Sequence, residues 1–289
     1  MNNLEKLLLD LVSINSSNPD RSNFNPEGEK EIGNYIADYL AKYKIPVEKK
    51  LVDQNRSNIF AIVESNIGKK IKTKNILLCS HLDTVYLDGI SFNPIKKDNF
   101  IFGPGACDAK ASLVSMINAL VDYSALKERN VNTYFLGAVG EESMHIGIKS
   151  FLKDTKLLKS TDFCIIGEPT NLNIGVAHKG SIRIGIKTIG VYAHGSMPES
   201  GINAIDMMAV LISKINKELL SKYKNIKNKF LGSPTLSIGI IKGGRAFNVV
   251  PNSCYIEIDR RVIPEEKVSE VLNDFKILGS SPKIVGKHY

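Results

Sequence analysis

Three short apolar runs in the first 170 residues end abruptly in an imidazole or a carboxylate. Residues 76–79 lead to His81 and Asp83, residues 133–139 to Glu141 and Glu142, and residues 163–166 to Glu168. Asp108 adds another carboxylate just after Gly103-Pro104-Gly105, where an apolar helical pattern opens. His81 and Asp83 are two apart, so an extended chain carries them on one side with Leu82 facing the other. An imidazole beside a carboxylate is the smallest unit of a metal site, the carboxylate fixing the tautomer of the ligating ring.

The elements that must position these groups are strands alternating with helices, a pattern that predicts a largely parallel sheet covered on both faces. Groups beyond the carboxyl ends of such strands converge. Convergence would place five carboxylates near one imidazole, a cluster that repels itself unless protons or cations neutralise it. Divalent cations resolve this, more than one being accommodated by so many oxygens, and His, Asp and Glu donors point to zinc, cobalt or manganese. Two ions sharing a bridging carboxylate lower the pKa of a water between them. Of Glu141 and Glu142, one ligates and the other takes the proton from that water and passes it to the leaving group.

Around these runs the periodicity predicts helices over 3–13 and 28–43, strands over 47–53 and 57–64, and a polar turn over 65–74. Residues 86–107 read as irregular, with a small hairpin turning at Asp98-Asn99. Near residue 176 the pattern changes. Residues 181–188 alternate strictly, a long helix covers 203–222, strands cover 235–241 and 253–261, and a last helix covers 265–276. The expected fold class is therefore α/β: a mostly parallel, helix-flanked sheet over 1–176, plus a smaller α+β domain, an antiparallel sheet with two helices, over 177–289.

With 289 residues, 43% of them hydrophobic and 24% charged, the chain has the composition of a soluble globular protein large enough for two domains. The net charge of +8 comes from lysines scattered over turns and helix faces, such as Lys222, Lys224, Lys227 and Lys229. They form no basic stripe with interleaved aromatics, so no nucleic-acid partner is expected, although the charge can attract anionic substrates. No stretch is apolar enough to span a membrane, and the first residues enter an amphipathic pattern unlike a signal peptide. The four cysteines share no CxxC spacing; Cys79, Cys164 and Cys254 lie in apolar runs, and reduced thiols in a cytoplasmic protein are expected.

The motifs also occur in a familiar order. Ser80-His81-Leu82-Asp83-Thr84-Val85, Gly105-Ala106-Cys107-Asp108-Ala109-Lys110, Glu141-Glu142 and Gly167-Glu168-Pro169-Thr170 resemble the successive motifs of the aminoacylase-type metallohydrolases, the M20 family of di-zinc amidases and peptidases. The resemblance continues through His178-Lys179-Gly180-Ser181, Ala193-His194-Gly195-Ser196-Met197-Pro198, Gly201-Ile202-Asn203-Ala204-Ile205, Asn248-Val249-Val250-Pro251 and Asp259-Arg260-Arg261-Val262-Ile263-Pro264. It is strongest with the acetylornithine deacetylase and succinyl-diaminopimelate desuccinylase branch. It implies hydrolysis of the amide bond of an N-acyl amino acid in amino-acid biosynthesis, with a dipeptidase or carboxypeptidase activity as the alternative. It further implies that His81 and Glu168 hold a first metal ion, Asp108 bridges, Glu142 holds a second, Glu141 is the general base and Asp83 orients His81. Zinc is the expected metal, with cobalt or manganese as alternatives. The small domain would act as lid and mediate homodimerisation, placing His194 in the partner's site as a donor to the oxyanion. Asn248 and Arg261 match substrate-holding positions, the planar fork of Arg261 suiting a carboxylate. The alternative for Arg261 is an ion pair with Glu257 or Asp259 on its own strand face.

Members of that family continue past the position of Tyr289 and take a further histidine ligand for the second ion from there. His288 stands in no recognisable motif and is expected to be a tail residue rather than that ligand. An inactive remnant is accordingly the contrasting expectation to an enzyme. Ala109 and Ala111 flank Lys110 where the resemblance leads one to expect a bulkier residue and a glycine.

Overall fold

A computed structural model of the chain describes residues 3–19, 25–67, 73–85, 89 and 91–288, so parts of the expected 65–74 turn and 86–107 region lie outside the described residues. The chain divides into two compact units, Met1–Asn173 and Ile174–Tyr289.

The first unit runs α1 (Asn3–Ser13), α2 (Lys30–Lys42), β1 (Val47–Asp53), β2 (Arg56–Val63), β3 (Lys74–His81), β4 (Ile95–Lys97), β5 (Phe100–Phe102), α3 (Lys110–Ser124), β6 (Val131–Ala138), α4 (Ile146–Phe151), α5 (Thr155–Ser160) and β7 (Phe163–Ile166). Its five-stranded sheet has the order β1-β2-β6-β3-β7. The β6–β3 and β3–β7 pairings are parallel, as expected, whereas β1–β2 and β2–β6 are antiparallel. The sheet is therefore mixed. β1 and β2 are joined by a turn of two residues, with Gln54 at φ 42, and so short a link permits only antiparallel pairing. The half that carries the strand-end acids is the parallel half.

Leu7 and Leu11 of α1, Ile32, Ile36 and Leu40 of α2, and Leu113, Ile117 and Leu120 of α3 pack with Ile59, Leu78 and Phe135 of the sheet in the main core. A smaller cluster of Phe60, Leu77, Cys79, Leu136 and Phe151 covers the other face. Successive residues Leu77, Leu78 and Cys79 of β3 thus face opposite cores, which is why that run is apolar without alternation. The hairpin β4–β5 turns at Asp98, with φ 54. Helices α4 and α5, not anticipated from periodicity, are six residues each, and among their described side chains only Phe151 is buried.

The second unit runs β8 (Gly180–Ile189), β9 (Ala193–His194), α6 (Ala204–Lys214), a π-helical segment (Ile215–Leu219), α7 (Leu220–Lys224), β10 (Thr235–Gly243), β11 (Val249–Val250), β12 (Ser253–Val262), α8 (Val268–Ile277) and β13 (Lys283–His288). The sheet order is β10-β12-β8-β13, antiparallel throughout. Ile182, Ile184 and Ile186 of β8 and Ile256 and Ile258 of β12 face Met208, Leu211, Ile215 and Phe275, burying the alternating side of the strands under the helices. Asn203 caps α6 by accepting the N–H groups of Ile205 and Asp206 at 2.9 and 3.3 Å. α8 begins later than expected because Glu266 closes a turn, accepting the Ile263 N–H at 3.1 Å and pairing with the buried Arg260. The final segment is a strand and not a tail: β13 pairs along β8, with Ile284 opposite Ile184 and His288 opposite Ser181. β8 otherwise presents an unpaired edge there, and that edge captures even a weakly apolar segment. No helix among the described residues is long and apolar enough to cross a membrane.

Candidate metal centre

The parallel half of the first sheet brings the strand ends together. His81 ends β3 level with Ala138 of β6, and Ile166 of β7 lies opposite Cys79 of β3. Glu141 and Glu142 follow β6, Glu168 follows β7, and Asp108 lies two residues before α3, so all reach the same edge.

His81 is 3% exposed. Its Nδ1 donates to the backbone carbonyl of Asp83 at 2.9 Å. Its Nε2 lies 2.9 Å from Asp108 Oδ1 and 4.0 Å from Glu168 Oε1. Burial pulls the imidazole pKa down, but the hydrogen bond to Asp108 and the charges of Asp83 and Glu168 outweigh it and push the pKa up to about 11. The carboxylates around the ring thus favour positive charge beside Nε2. Burial, reinforced by Glu141, Asp108 and Asp83 and opposed by His81, pushes Glu142 up to about 7, and the same causes raise Glu168. These carboxyls carry more negative charge than the protein compensates.

Among the described residues, two groups each bring their donor atoms within 4.8 Å of one another: His81, Asp108 and Glu168 form one, and His81, Glu141 and Glu142 the other. One imidazole nitrogen among carboxylate oxygens fits a divalent cation such as zinc, cobalt or manganese. The first group matches the set implied for one ion. The second contains both adjacent glutamates together with His81, so among the described residues Glu142 clusters with His81 and not with Asp108.

Asp83 is placed differently from its expected role. Its carboxylate Oδ1 stands 3.6 Å from His81 Nδ1, too far for a hydrogen bond, and the ring is oriented by the Asp83 carbonyl instead. The carboxylate, 1% exposed, turns to the corner after β6. It accepts the Glu141 N–H at 3.0 Å, the Glu142 N–H at 2.9 Å and Asn18 Nδ2 at 2.7 Å. Burial opposes its ionisation, but the neighbouring His81 and these donors hold its pKa below the ordinary carboxylate value.

Two contributors escaped sequence reasoning. Asn18 donates to Asp83 and, at 3.1 Å, to Ser143 Oγ, and is held by its own N–H bonding to the Thr84 carbonyl at 2.9 Å. Asn18-Pro19 carries only a turn signal in sequence. Lys110 is fully buried, donates to the Ile14 carbonyl at 2.9 Å, and is lowered by burial to about 7. It ties the segment bearing Asn18 to the helix that follows Asp108.

The remaining predicted residues belong to the second unit. His194 of β9 pairs with Val249 of β11 and is exposed, and the Gly195 N–H bonds to the Asn248 carbonyl at 2.8 Å. His194 Nδ1 accepts the Ser196 N–H at 3.2 Å and lies 2.7 Å from Ser196 Oγ. An Nδ1 that accepts leaves the proton of a neutral ring on Nε2, as an outward donor. Asn248 is also exposed. Arg261 is half exposed and paired through Nε with Asp259 Oδ2 at 2.9 Å, the alternative weighed from sequence.

Residues 176–278 match the peptidase dimerisation domain family of the M20 group. The chain is 31% identical over 260 residues to an acetylornithine deacetylase of Photorhabdus laumondii, covering 88% of this chain and 63% of that protein. It is 32% identical over 279 residues to a protein of Aspergillus oryzae named probable carboxypeptidase, covering 85% and 64% respectively. The chain therefore spans less than two-thirds of the length of these relatives. Its fold is similar to the crystal structure of an M20 family metallo-carboxypeptidase from Sulfolobus solfataricus, with a TM-score of 0.69 at 18% identity over 100% of this chain and 78% of that one.

Proposed function

We propose, from the premise that the chain carries an M20 peptidase dimerisation domain over residues 176–278 and resembles M20 hydrolases along most of its length, that it is a metal-dependent amidohydrolase of N-acyl amino acids. The observation that carries this reading is the convergence of His81, Asp108, Glu141, Glu142 and Glu168 at one sheet edge. Two divalent cations, zinc foremost, would be held there by His81, Asp108, Glu142 and Glu168, supplying Lewis acidity toward a carbonyl oxygen and toward water.

The chain's own residues supply the rest. Glu141 accepts a proton from the attacking water as its oxygen bonds to the acyl carbon. It returns the proton to the amide nitrogen as the C–N bond breaks, giving a carboxylic acid and a free amine, which exchange the remaining proton to leave as carboxylate and ammonium. The Asp83 carbonyl keeps the His81 Nδ1 proton in place so that Nε2 faces the donor cluster, and the Asp83 carboxylate fixes the backbone of both glutamates. His194, with its proton on Nε2, donates to the oxyanion of a partner copy in a homodimer. Asn248 and Arg261 hold the substrate, Arg261 exchanging Asp259 for its carboxylate. A carboxypeptidase or dipeptidase activity is the second reading, favoured by the similarity to the Aspergillus protein.

Metal content and turnover test this together. Two ions per chain and hydrolysis of acetylornithine or succinyl-diaminopimelate, abolished by chelation and restored by zinc or cobalt, support the reading. Dipeptide turnover alone supports the second, and no bound metal refutes both. Glu141→Gln should lower turnover by roughly 10²–10⁴-fold while metal binding persists; unchanged turnover removes Glu141 as the base. Mixing His194→Ala and Glu141→Gln subunits should regain activity that neither has alone, and no regain refutes a role for His194 across the dimer.

A further inference from the structure

The corner bearing Glu141 and Glu142 is also gripped by a buried pair of charges, Glu29 and Arg56. Gly140 has φ 70, and its N–H donates to Glu29 Oε1 at 2.8 Å. Glu29 receives both arms of the Arg56 fork, Nη2 on Oε1 and Nε on Oε2, each at 2.8 Å. Glu29 and Arg56 are only 1% and 3% exposed. The guanidinium also fills the space beside Gly140, where an added Cβ would lie 2.9 Å from Arg56 Nη2 and 2.6 Å from Ile146 Cγ1. Two residues along β2, Asn58 accepts the Val139 N–H at 3.1 Å and donates to the Gly147 carbonyl at 2.9 Å. The His145 N–H closes the loop on the Gly140 carbonyl at 2.7 Å.

A buried ion pair is weak evidence of stabilisation, because apolar residues of similar volume commonly do as well. A fork that fixes one particular backbone N–H does something apolar residues cannot. Gly140 is the residue before the two glutamates, and its left-handed conformation is where the chain leaves β6 and turns back toward the donor cluster. We propose that Glu29 and Arg56 are positioning residues for the reaction: the pair sets the Gly140 conformation, and through it the directions of the Glu141 and Glu142 carboxylates, without touching substrate. This rests on the hydrolase reading given above.

The test uses Arg56→Lys and Glu29→Asp, which keep both charges but break the fork geometry, and Glu29→Gln, which removes one charge. Each full chain is loaded with cobalt(II) and followed by visible absorption, by titration of cobalt affinity, and by kcat and KM, under conditions where denaturation curves show it folded. The expected result is a fall in cobalt affinity or kcat of roughly 10–100-fold with an altered cobalt spectrum and little change in KM. Folded variants that keep the parent spectrum and stay within about twofold of its affinity and kcat overturn the proposal, leaving the pair a purely structural one. Should Glu29→Gln fail to fold, the two charge-preserving variants decide. If the parent chain hydrolyses no substrate, the hydrolase reading fails on that result, while the cobalt spectra of the variants still decide the positioning role.

Discussion

Replacing Asp83 with alanine removes one carboxylate and strands three donors at once: Asn18 Nδ2 at 2.7 Å, the Glu142 N–H at 2.9 Å and the Glu141 N–H at 3.0 Å. A hydrogen bond to a charged group contributes about 1.5–3 kcal/mol. Taking the low end, because water can enter the space left by the side chain, the loss is about 4–5 kcal/mol, a large share of the roughly 5–15 kcal/mol by which a domain is stable. Asparagine should cost less. Of these three bonds Oδ1 takes the Glu141 N–H, whereas Oδ2 takes both Asn18 and Glu142. An amide oxygen at the Oδ2 position keeps two bonds and sets its NH₂ against one N–H, a cost of about 2–3 kcal/mol. The chain contains no tryptophan, so urea unfolding of the metal-free variants is best followed by far-ultraviolet circular dichroism. The expected order of stability is parent, Asp83→Asn, Asp83→Ala. An alanine variant within about 1 kcal/mol of the parent, or an asparagine variant less stable than alanine, refutes the account of the corner.

Gly140→Ala should destabilise by about 2–4 kcal/mol, since its φ of 70 is unfavourable for an L side chain and the new methyl meets Arg56 and Ile146; a melting temperature equal to the parent's would contradict this. The pH dependence of the metal-free protein follows from Glu142 and His81, both raised in the folded state. Groups raised on folding contribute stability that is present below their unfolded values and lost as pH rises through the folded ones. Glu142 acts from its ordinary 4.5 to about 7, and His81 with the same sign from 6.5 to about 11. A divalent cation competes with these protons, so the rise in melting temperature on adding zinc should grow between about pH 5 and pH 8. A rise independent of pH refutes the linkage.

The strand-end acids were legible because a parallel sheet sends its carboxyl ends to one edge, and a run such as residues 76–79, apolar without alternation, marks a strand buried on both faces. The strict alternation of residues 181–188 likewise located a one-sided sheet. What the sequence left open was how side chains distant in the chain share work. Asp83 is two residues from His81, and both that spacing and the family resemblance assign it to the ring; in the fold its carbonyl makes the hydrogen bond to the ring, and its carboxylate bonds to residues 141 and 142. Glu29 and Arg56 stand in no motif of the sequence. Their burial against Gly140 depends on β2 lying beside β6, a pairing no local pattern encodes. The antiparallel half of the sheet and the strand β13 escaped for the same reason: the first follows from the tightness of one turn, the second from a free edge waiting elsewhere in the unit.

The parallel pairing of β3 with both β6 and β7 has a consequence for how the protein acquires its chemistry. Ile76 lies opposite Thr133 on one side and Phe163 on the other, so the donor cluster exists only after two long loops have closed. Such non-local closures are slow, because chain entropy is lost before the contacts that repay it are made. On the proposed reading, divalent cations would therefore meet an assembled edge rather than organise one. Metal capture should trail the formation of the sheet during refolding, and cation present from the start should slow unfolding far more than it speeds folding.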